Sequence, residues 1–266
     1  MLWIVYCAGM NYRVRALKMG QCEVPGPEVY WMSHWEEWEM LYFWMALIQG
    51  GGHNIIINTG PPADLTALNE AWAKAVAPRS QMMRTYQERP DEALRSVGLQ
   101  TDDIDYVLIT PLQAYATGNI PMFTRATVCL SRRGWIEDFH APRYTMHIPR
   151  KLRIPDDALL YLDITAPEKL RLLEDEDEIL PGLLAFWAGT HHPSSMAYVI
   201  STEKGAVVAS DAFFKYGNAE HDHPLGVGES LEEGMRCYAR VRKMGATPLP
   251  LYDPEVLARH PGGILA

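Results

Sequence analysis

The sequence predicts a mixed α/β (α+β) fold, a four-layer αββα sandwich in which two β-sheets pack face to face beneath outer helices. The chain has 266 residues, of which 48% are hydrophobic, and this is enough for one large mixed domain. Two runs of short apolar segments occur, and helical patterns follow each run. Because no repeat, low-complexity segment or linker divides the chain, a single domain over residues 1–266 is expected.

The first run of predicted elements fills the N-terminal half. Alternating or unbroken apolar residues predict strands at 12–19, 41–48, 53–60, 107–110 and 128–130. The three glycines at 50–52 predict that the second and third strands form a hairpin. Pro25-Gly26-Pro27 predicts a loop, and helical spacing of apolar residues predicts helices at 64–75 and 91–97.

The second run fills the C-terminal half. Apolar segments predict strands at 183–188, 195–201 and 206–210, and helices are predicted at 165–173 and 229–243. The acidic run 174–178 is expected to be a solvated turn before a strand.

Charge and composition exclude several classes of function. The formal charge of −9 argues against nucleic acid as a partner, because phosphates would repel the protein. No stretch approaches the roughly 20 apolar residues that a membrane-spanning helix needs, and no signal peptide is recognisable. The cysteines at 7, 22, 129 and 237 form no Cys-x-x-Cys pair, so free thiols and a cytoplasmic location are expected.

A turn after one predicted strand has the frame of a metal site without its ligands. Residues 104–119 include Val107-Leu108-Ile109-Thr110 before the turn and Gly118-Asn119 after it. This segment closely resembles the metal-binding turn of the metallo-β-lactamase superfamily, in which a strand ends in Thr-His-x-His-x-Asp-His-x-Gly-Asn. The ligand positions here hold Pro111, Gln113, Tyr115 and Ala116. Pro and Ala offer no ligand atom, and Gln and Tyr are poor zinc ligands.

Four further segments extend the resemblance to about residues 40–262. Asn58-Thr59-Gly60 stands where the family has Asp-Thr-Gly, and an Asn lacks the charge that supports a cation. Gly189–Ser195 resembles a family loop with His191 at the ligand position and His192 after it. Asp211 matches the family's bridging Asp, whereas Tyr252 stands where the last His ligand belongs.

The resemblance points to the lactonase-like branch of the superfamily, of the N-acyl homoserine lactonase type. It implies the αββα sandwich, hydrolysis of small cyclic compounds, and a pair of metal ions. Because only His191 and Asp211 keep ligand side chains, we expect no bound cofactor. A weak mononuclear metal at these two residues stays open, as does a relocated site that adds an off-motif His. The pair His221 and His223 is more simply part of a polar loop.

The altered positions define a candidate cleft that is polar, aromatic and titratable. The candidate catalytic residues are His191, Asp211, Tyr115 and Tyr252, and the candidate substrate-binding residues are Gln113, Thr110, Asn119 and His192. Asp211 can orient His191 as a base, and a tyrosine can donate to a developing oxyanion. These residues favour metal-independent acid–base chemistry, hydrolysis or elimination, on a small cyclic or carbonyl-bearing substrate.

The alternative is a catalytically inactive homologue that serves as a binding protein or as a structural partner of an active relative. Its contact surface would be the aromatic segment 30–45, whose tryptophans are Trp31, Trp35, Trp38 and Trp44. A place in the core or at a subunit contact explains these rings at least as well as a role in forming a wall of the substrate site. Homo- and hetero-oligomers both stay open.

Overall fold

The computed structural model describes residues 10–140 and 149–266, and over these residues it has two β-sheets with helices around them. The first sheet has six strands in sequential order: β1 (Arg13–Pro25), β2 (Trp38–Gly50), β3 (His53–Ile57), β4 (Tyr106–Leu108), β5 (Thr127–Ser131) and β6 (Leu170–Leu173). The first three strands pair antiparallel, and β3 to β6 pair parallel. The predicted fold class is confirmed.

The second sheet has five strands in the order β11-β10-β9-β8-β7. Their bounds are β7 (Glu176–Leu180), β8 (Leu183–Trp187), β9 (Met196–Thr202), β10 (Gly205–Ser210) and β11 (Thr247–Pro250). Strands β7 to β10 pair antiparallel, and β11 runs parallel to β10. Each half of the chain therefore supplies one sheet.

The α-helices of the described residues lie in the segments that join the strands, except for the last helix, which follows β11. They are α1 (Gly26–Val29), α2 (Thr66–Ala75), α3 (Pro90–Arg95), α4 (Ala114–Thr117), α5 (Arg132–Gly134), α6 (Asp156–Leu160), α7 (Tyr216–Glu220), α8 (Leu231–Lys243) and α9 (Glu255–Arg259). Two π-helical segments, Trp135–His140 and Tyr161–Thr165, continue α5 and α6. Short 3₁₀ turns occupy Tyr86–Glu88, Thr101–Asp103, Ile120–Met122, Arg150–Leu152, Pro167–Lys169 and Pro261–Gly263. Among these helices, none is long and apolar enough to cross a membrane.

Successive side chains of β10 pack alternately against the other sheet and against a helix, which shows how the layers are arranged. Val207 and Ala209 join the main core, which contains residues of both sheets, whereas Val208 joins a second cluster with Cys237 and Tyr238 of α8. Successive side chains of a strand point to opposite faces, so one face of β10 meets the other sheet and one face meets a helix. Ser230 caps α8 by accepting a hydrogen bond from the amide of Glu233 at 3.3 Å.

Several sequence predictions need correction. The helix predicted at 165–173 is wrong, because 170–173 is strand β6, held by parallel pairing with β5. The acidic run is not only a turn, since β7 begins at Glu176 and pairs with β8. Pro25-Gly26-Pro27 leads directly into the short helix α1. Cys22, Cys129 and Cys237 are free and buried, while Cys7 and His147 lie outside the described residues.

Candidate active site

A cleft of about 250 Å³ lies where strands and loops of both sheets end. Its walls are largely apolar and aromatic, with a few polar groups, as is typical of a small-molecule site. The lining residues are Val24, Glu28, Leu41, Phe43, Trp72, Ala75, Val76, Gln113, Tyr115, Pro149, Leu152, His191, His192, Phe214, Val227 and Tyr252. Five of the eight site residues predicted from the sequence are therefore brought to one cleft: Gln113, Tyr115, His191, His192 and Tyr252.

Each of these side chains follows the end of a strand. Gln113 precedes helix α4, and Tyr115 lies within it, shortly after β4. His191 and His192 belong to the loop that joins β8 to β9, and Tyr252 follows β11. Because the strand ends of both sheets converge, residues far apart in sequence can face one small volume.

His191 is oriented by a buried carboxylate. Its Nδ1 lies 3.0 Å from Oδ2 of Asp211, which is the hydrogen bond that the sequence led us to expect. Asp211 is fully buried and His191 is 5% exposed. Since a carboxylate accepts the Nδ1 proton, the basic lone pair of the neutral ring is on Nε2, the nitrogen available to a molecule in the cleft.

Asp211 is held by further hydroxyl groups. Ser195 donates to its Oδ2 at 2.6 Å, and the Thr110 hydroxyl forms a short hydrogen bond to its Oδ1. The serine contacts the carboxylate and not the imidazole, which differs from a Ser-His-Asp nucleophile, where the serine must contact the histidine. This arrangement suits an imidazole that activates a water molecule.

Two tyrosines stand beside the imidazole within a group of aromatic rings. Phe214 packs against both His191 and Tyr252, with ring centroids 4.9 and 4.6 Å apart respectively. The rings of Tyr115 and Tyr252 are 5.9 Å apart. Burial, with smaller contributions that include the Asp211 charge, raises the pKa of both phenols well above the ordinary value. Both stay protonated, and the buried Tyr252 Oη makes no hydrogen bond of good geometry, although it lies near enough to the Tyr115 hydroxyl for each phenol to affect the pKa of the other.

The second histidine of the loop is neutral. His192 is 4% exposed, and its ring centroid lies 4.0 Å from that of His191. Burial, aided by the charges of His191 and Arg153, holds the pKa of His192 well below its usual value. A neutral His192 leaves the neighbouring ring free to accept a proton without repulsion.

The other three predicted residues are not among those that line the cleft. Asp211 reaches it only through His191, and the Thr110 hydroxyl oxygen, which donates to Asp211, also lies 3.1 Å from the Met196 carbonyl oxygen. The Asn119 amide donates to carbonyl oxygens of the 59–61 loop, including Thr59 at 2.8 Å. The roles assigned to Thr110 and Asn119 stay predictions, although their polar groups are engaged in these internal hydrogen bonds.

The cleft also contains a residue that the sequence gave no reason to choose. Glu28 of α1 is partly buried, and burial raises the pKa of its carboxyl to about 7. No motif marks it, because its place depends on α1 folding beside β2. A carboxyl whose pKa lies near neutrality in a cleft is a candidate for binding or proton transfer.

The aromatic segment divides between core and surface. Trp44 is buried and its Nε1 donates to the Asp253 carbonyl at 2.9 Å, whereas Trp31 and Trp35 are 45% and 66% exposed. Nε2 of His223 lies 3.1 Å from the Trp31 carbonyl. Neither His221 nor His223 occurs in a group of three metal-ligand side chains among the described residues.

The two-sheet architecture with a cleft at its strand ends is the metallo-β-lactamase fold. No family model matches the chain. The N-acyl homoserine lactonase of Bacillus cereus is 22% identical over 212 residues, covering 78% of each chain. That of Bacillus thuringiensis is 23% identical over the same length and coverage.

Solved structures have the same fold. An N-acyl homoserine lactone hydrolase with the product N-hexanoyl-L-homoserine at its catalytic metal centre has a TM-score of 0.71 and 21% identity, covering 93% of this chain and 95% of that one. The dizinc quorum-quenching lactonase AidC has a TM-score of 0.61 and 13% identity, with 96% and 90% covered. The chain is therefore a metallo-β-lactamase-fold protein that is similar to lactonase-type hydrolases.

Proposed function

We propose that this protein hydrolyses a small lactone-like or carbonyl-bearing ring without the two metal ions of its relatives. The observation that supports this most is the 3.0 Å contact between His191 Nδ1 and Asp211 Oδ2 at the wall of the cleft. An imidazole whose Nδ1 donates to a carboxylate presents Nε2 to the cleft as a general base.

The residues at the family's metal-ligand positions do not fit a pair of zinc ions. Pro111 and Ala116 carry no ligand atom, and Tyr115 and Tyr252 remain protonated phenols. The Asp211 oxygens already accept hydrogen bonds from Thr110, Ser195 and His191. A two-zinc site requires several charged or imidazole ligands around each ion, and these are lacking here.

The reaction follows from the positions of the side chains. Nε2 of His191 takes a proton from water as the water oxygen attacks the carbonyl carbon, and Tyr252 or Tyr115 donates a hydrogen bond to the resulting oxyanion. As the intermediate collapses, the ring C–O bond breaks and the imidazolium returns the proton to the leaving alkoxide. The product is a hydroxy acid, so water is consumed and no other co-reactant is needed.

Cleft size limits the substrate. A volume of about 250 Å³ lies below the roughly 300–1,000 Å³ of typical ligand sites. A five- or six-membered ring with a short substituent fits this space, whereas a long acyl chain would have to leave it. Turnover should therefore fall as the acyl chain of a homoserine lactone series lengthens.

The test is turnover of short-chain lactones by protein treated with chelator, with ring-opened product measured by mass spectrometry. His191→Gln should lower kcat by about 100-fold or more, since general-base catalysis contributes roughly 10²–10⁴. His221→Gln, a change at an exposed histidine outside the cleft, is the matched control and should behave as wild type. Equal turnover by His191→Gln, or turnover that chelation removes and zinc restores, contradicts the proposal.

A second candidate function is a binding protein or structural partner without turnover. The exposed Trp31, Met32 and Trp35 favour it, because large apolar side chains clustered on a surface often mark an interface. Lactone binding without product formation by folded wild-type protein would support this candidate over the first. Sedimentation of wild type and Trp35→Ser then tests whether this surface joins two copies.

A further inference from the structure

Three metal-ligand side chains meet beside the cleft, outside the positions that the lactonase resemblance assigns to metal ions. Asp138 lies in the π-helical segment Trp135–His140, His192 in the loop between β8 and β9, and Glu229 just before α8. One ligand atom of each lies within 4.8 Å of the other two. Nδ1 of His192 and Oε1 of Glu229 are 4.0 Å apart.

These separations are close to those around a bound cation. Ligand atoms about 2.1 Å from a tetrahedral zinc ion are roughly 3.4 Å from one another. Side-chain rotations that bring the three atoms closer by about 1 Å would place all three at coordination distance from one ion, because Asp and Glu have flexible terminal torsions, and the fourth position would be left to water. Glu229 is the outermost of the three, with 30% of its side chain exposed, so an ion can enter from that side.

The two inner ligands are buried without ordinary partners. Asp138 is 5% exposed and His192 is 4% exposed. Nδ1 of His192 has no hydrogen-bond partner in the described structure, and neither carboxylate oxygen of Asp138 makes a hydrogen bond of good geometry, although Ser194 lies near enough to lower its pKa. Buried polar atoms without partners are costly, and a native protein usually compensates them with a ligand, water or ion.

The polar groups of the described residues act on the Asp138 carboxyl in opposite directions. Burial raises the pKa of Asp138 to about 6, with Glu229 adding to the increase while Ser194 and Arg153 oppose it. Arg153 donates to the Asp138 backbone carbonyl at 3.4 Å, and no ion pair joins it to that carboxylate among the described contacts.

We propose that Asp138, His192 and Glu229 form a binding site for one divalent transition-metal ion, and that zinc matches it best. One imidazole and two carboxylates suit zinc, whereas calcium and magnesium prefer six or more oxygen ligands. The ion links three segments that are remote in sequence and so fastens the rim of the cleft.

The packing of the backbone supports this role. A Cβ added to Gly134 would lie 2.2 Å from the Cα of Ser194, so the segment that carries Asp138 lies directly on the loop that carries His192. The amide of Glu229 in turn donates to the Thr190 carbonyl of the same loop. The main chain therefore keeps together the three segments that carry the ligands before any ion arrives.

The experiment is zinc titration of chelated, dialysed full-length protein, followed by calorimetry and thermal denaturation. Wild type should bind one zinc ion per chain and its Tm should rise. Asp138→Asn and His192→Gln should each weaken zinc affinity at least tenfold, and both variants are used because one of them could fail to fold. Without zinc, Asp138→Asn should have a higher Tm than wild type at pH 7.5, because it removes a buried carboxylate that lacks a partner.

The chain provides matched controls. His34, Glu37 and Glu39 form another group of metal-ligand side chains that is more exposed, so the double variant His34→Gln/Glu37→Gln should keep wild-type zinc affinity. His191→Gln should keep it too, which separates this site from the former metal position and from the hydrolytic proposal. Loss of zinc binding in either control but not in His192→Gln overturns the inference. So does a wild-type protein that takes up no zinc at about 100 μM, a concentration far above the Kd of a built site.

Discussion

Replacing Glu28 with Gln should stabilise the protein increasingly as the pH rises. The Glu28 carboxyl lines the cleft, and burial raises its pKa from an ordinary 4.5 to about 7. Between these two values the unfolded chain has lost the proton that the folded chain still holds. Folding stability therefore falls as the pH rises through this window, and the full cost of the ionised carboxyl is present above about pH 7.

The magnitude follows from the two pKa values. The difference between 4.5 and about 7 corresponds to roughly 3 kcal/mol at 1.36 kcal/mol per pH unit. Water that enters the cleft screens part of this cost, so about 2–3 kcal/mol is expected at pH 8 and under about 1 kcal/mol at pH 5. The unfolding free energy of Glu28→Gln should therefore exceed that of wild type by more at pH 8 than at pH 5, and the increase should equal the difference between these two costs.

Urea denaturation at pH 5, 6, 7 and 8 measures the effect. The exposed Glu36 offers a matched control, because Glu36→Gln removes the same charge from a solvated position. The plot of unfolding free energy against pH for Glu36→Gln should therefore run parallel to that of wild type. If the plot of unfolding free energy against pH for Glu28→Gln also runs parallel to that of wild type, the argument that burial raises the pKa of the Glu28 carboxyl is refuted.

Two further predictions concern the cleft and its rim. Tyr252→Phe removes a buried hydroxyl that makes no hydrogen bond of good geometry, so the free energy of unfolding should change by less than about 1 kcal/mol. The kcat for lactone opening should fall about tenfold or more. An unchanged kcat would mean that Tyr252 does not contact the oxyanion. Gly134→Ala places a Cβ 2.2 Å from the Cα of Ser194, so urea denaturation should show a loss of about 1–3 kcal/mol. Wild-type stability in that variant would mean that the two segments separate easily.

Much of the fold could be predicted from local sequence pattern. The apolar run 41–48 and the following glycines predicted the β2–β3 hairpin, which the structure confirms by pairing Gly50 with His53. Prediction failed where hydrogen bonding to a neighbouring strand, and not the local sequence pattern, determined the secondary structure. Residues 170–173 carry a helical mixture of residues but form an edge strand on β5, and the two prolines of β11 concealed a strand that pairs with β10.

The sequence could predict only those residues of the candidate site that lie within motifs of the resembling family. His191, Tyr115 and Tyr252 were predicted from their positions in the resemblance, and they do line one cleft. Glu28 and Asp138 belong to no motif, and only the packing of α1 and of the 135–140 segment brings them near those residues.

The sequence by itself determined most of the strands and helices, because apolar periodicity and glycine turns act over a few residues, whereas β6 and β11 depended on pairing with neighbouring strands. It also determined which chemical groups stand at the positions that the resemblance assigns to metal ligands. Only the tertiary structure decided that the Asp211 oxygens are used by neighbouring hydroxyls and His191, and that Asp138, His192 and Glu229 come within 4.8 Å of one another. The reason is physical: burial and contact between segments far apart in the chain arise only when the sheets pack, and these set both the protonation state and the partners of each group.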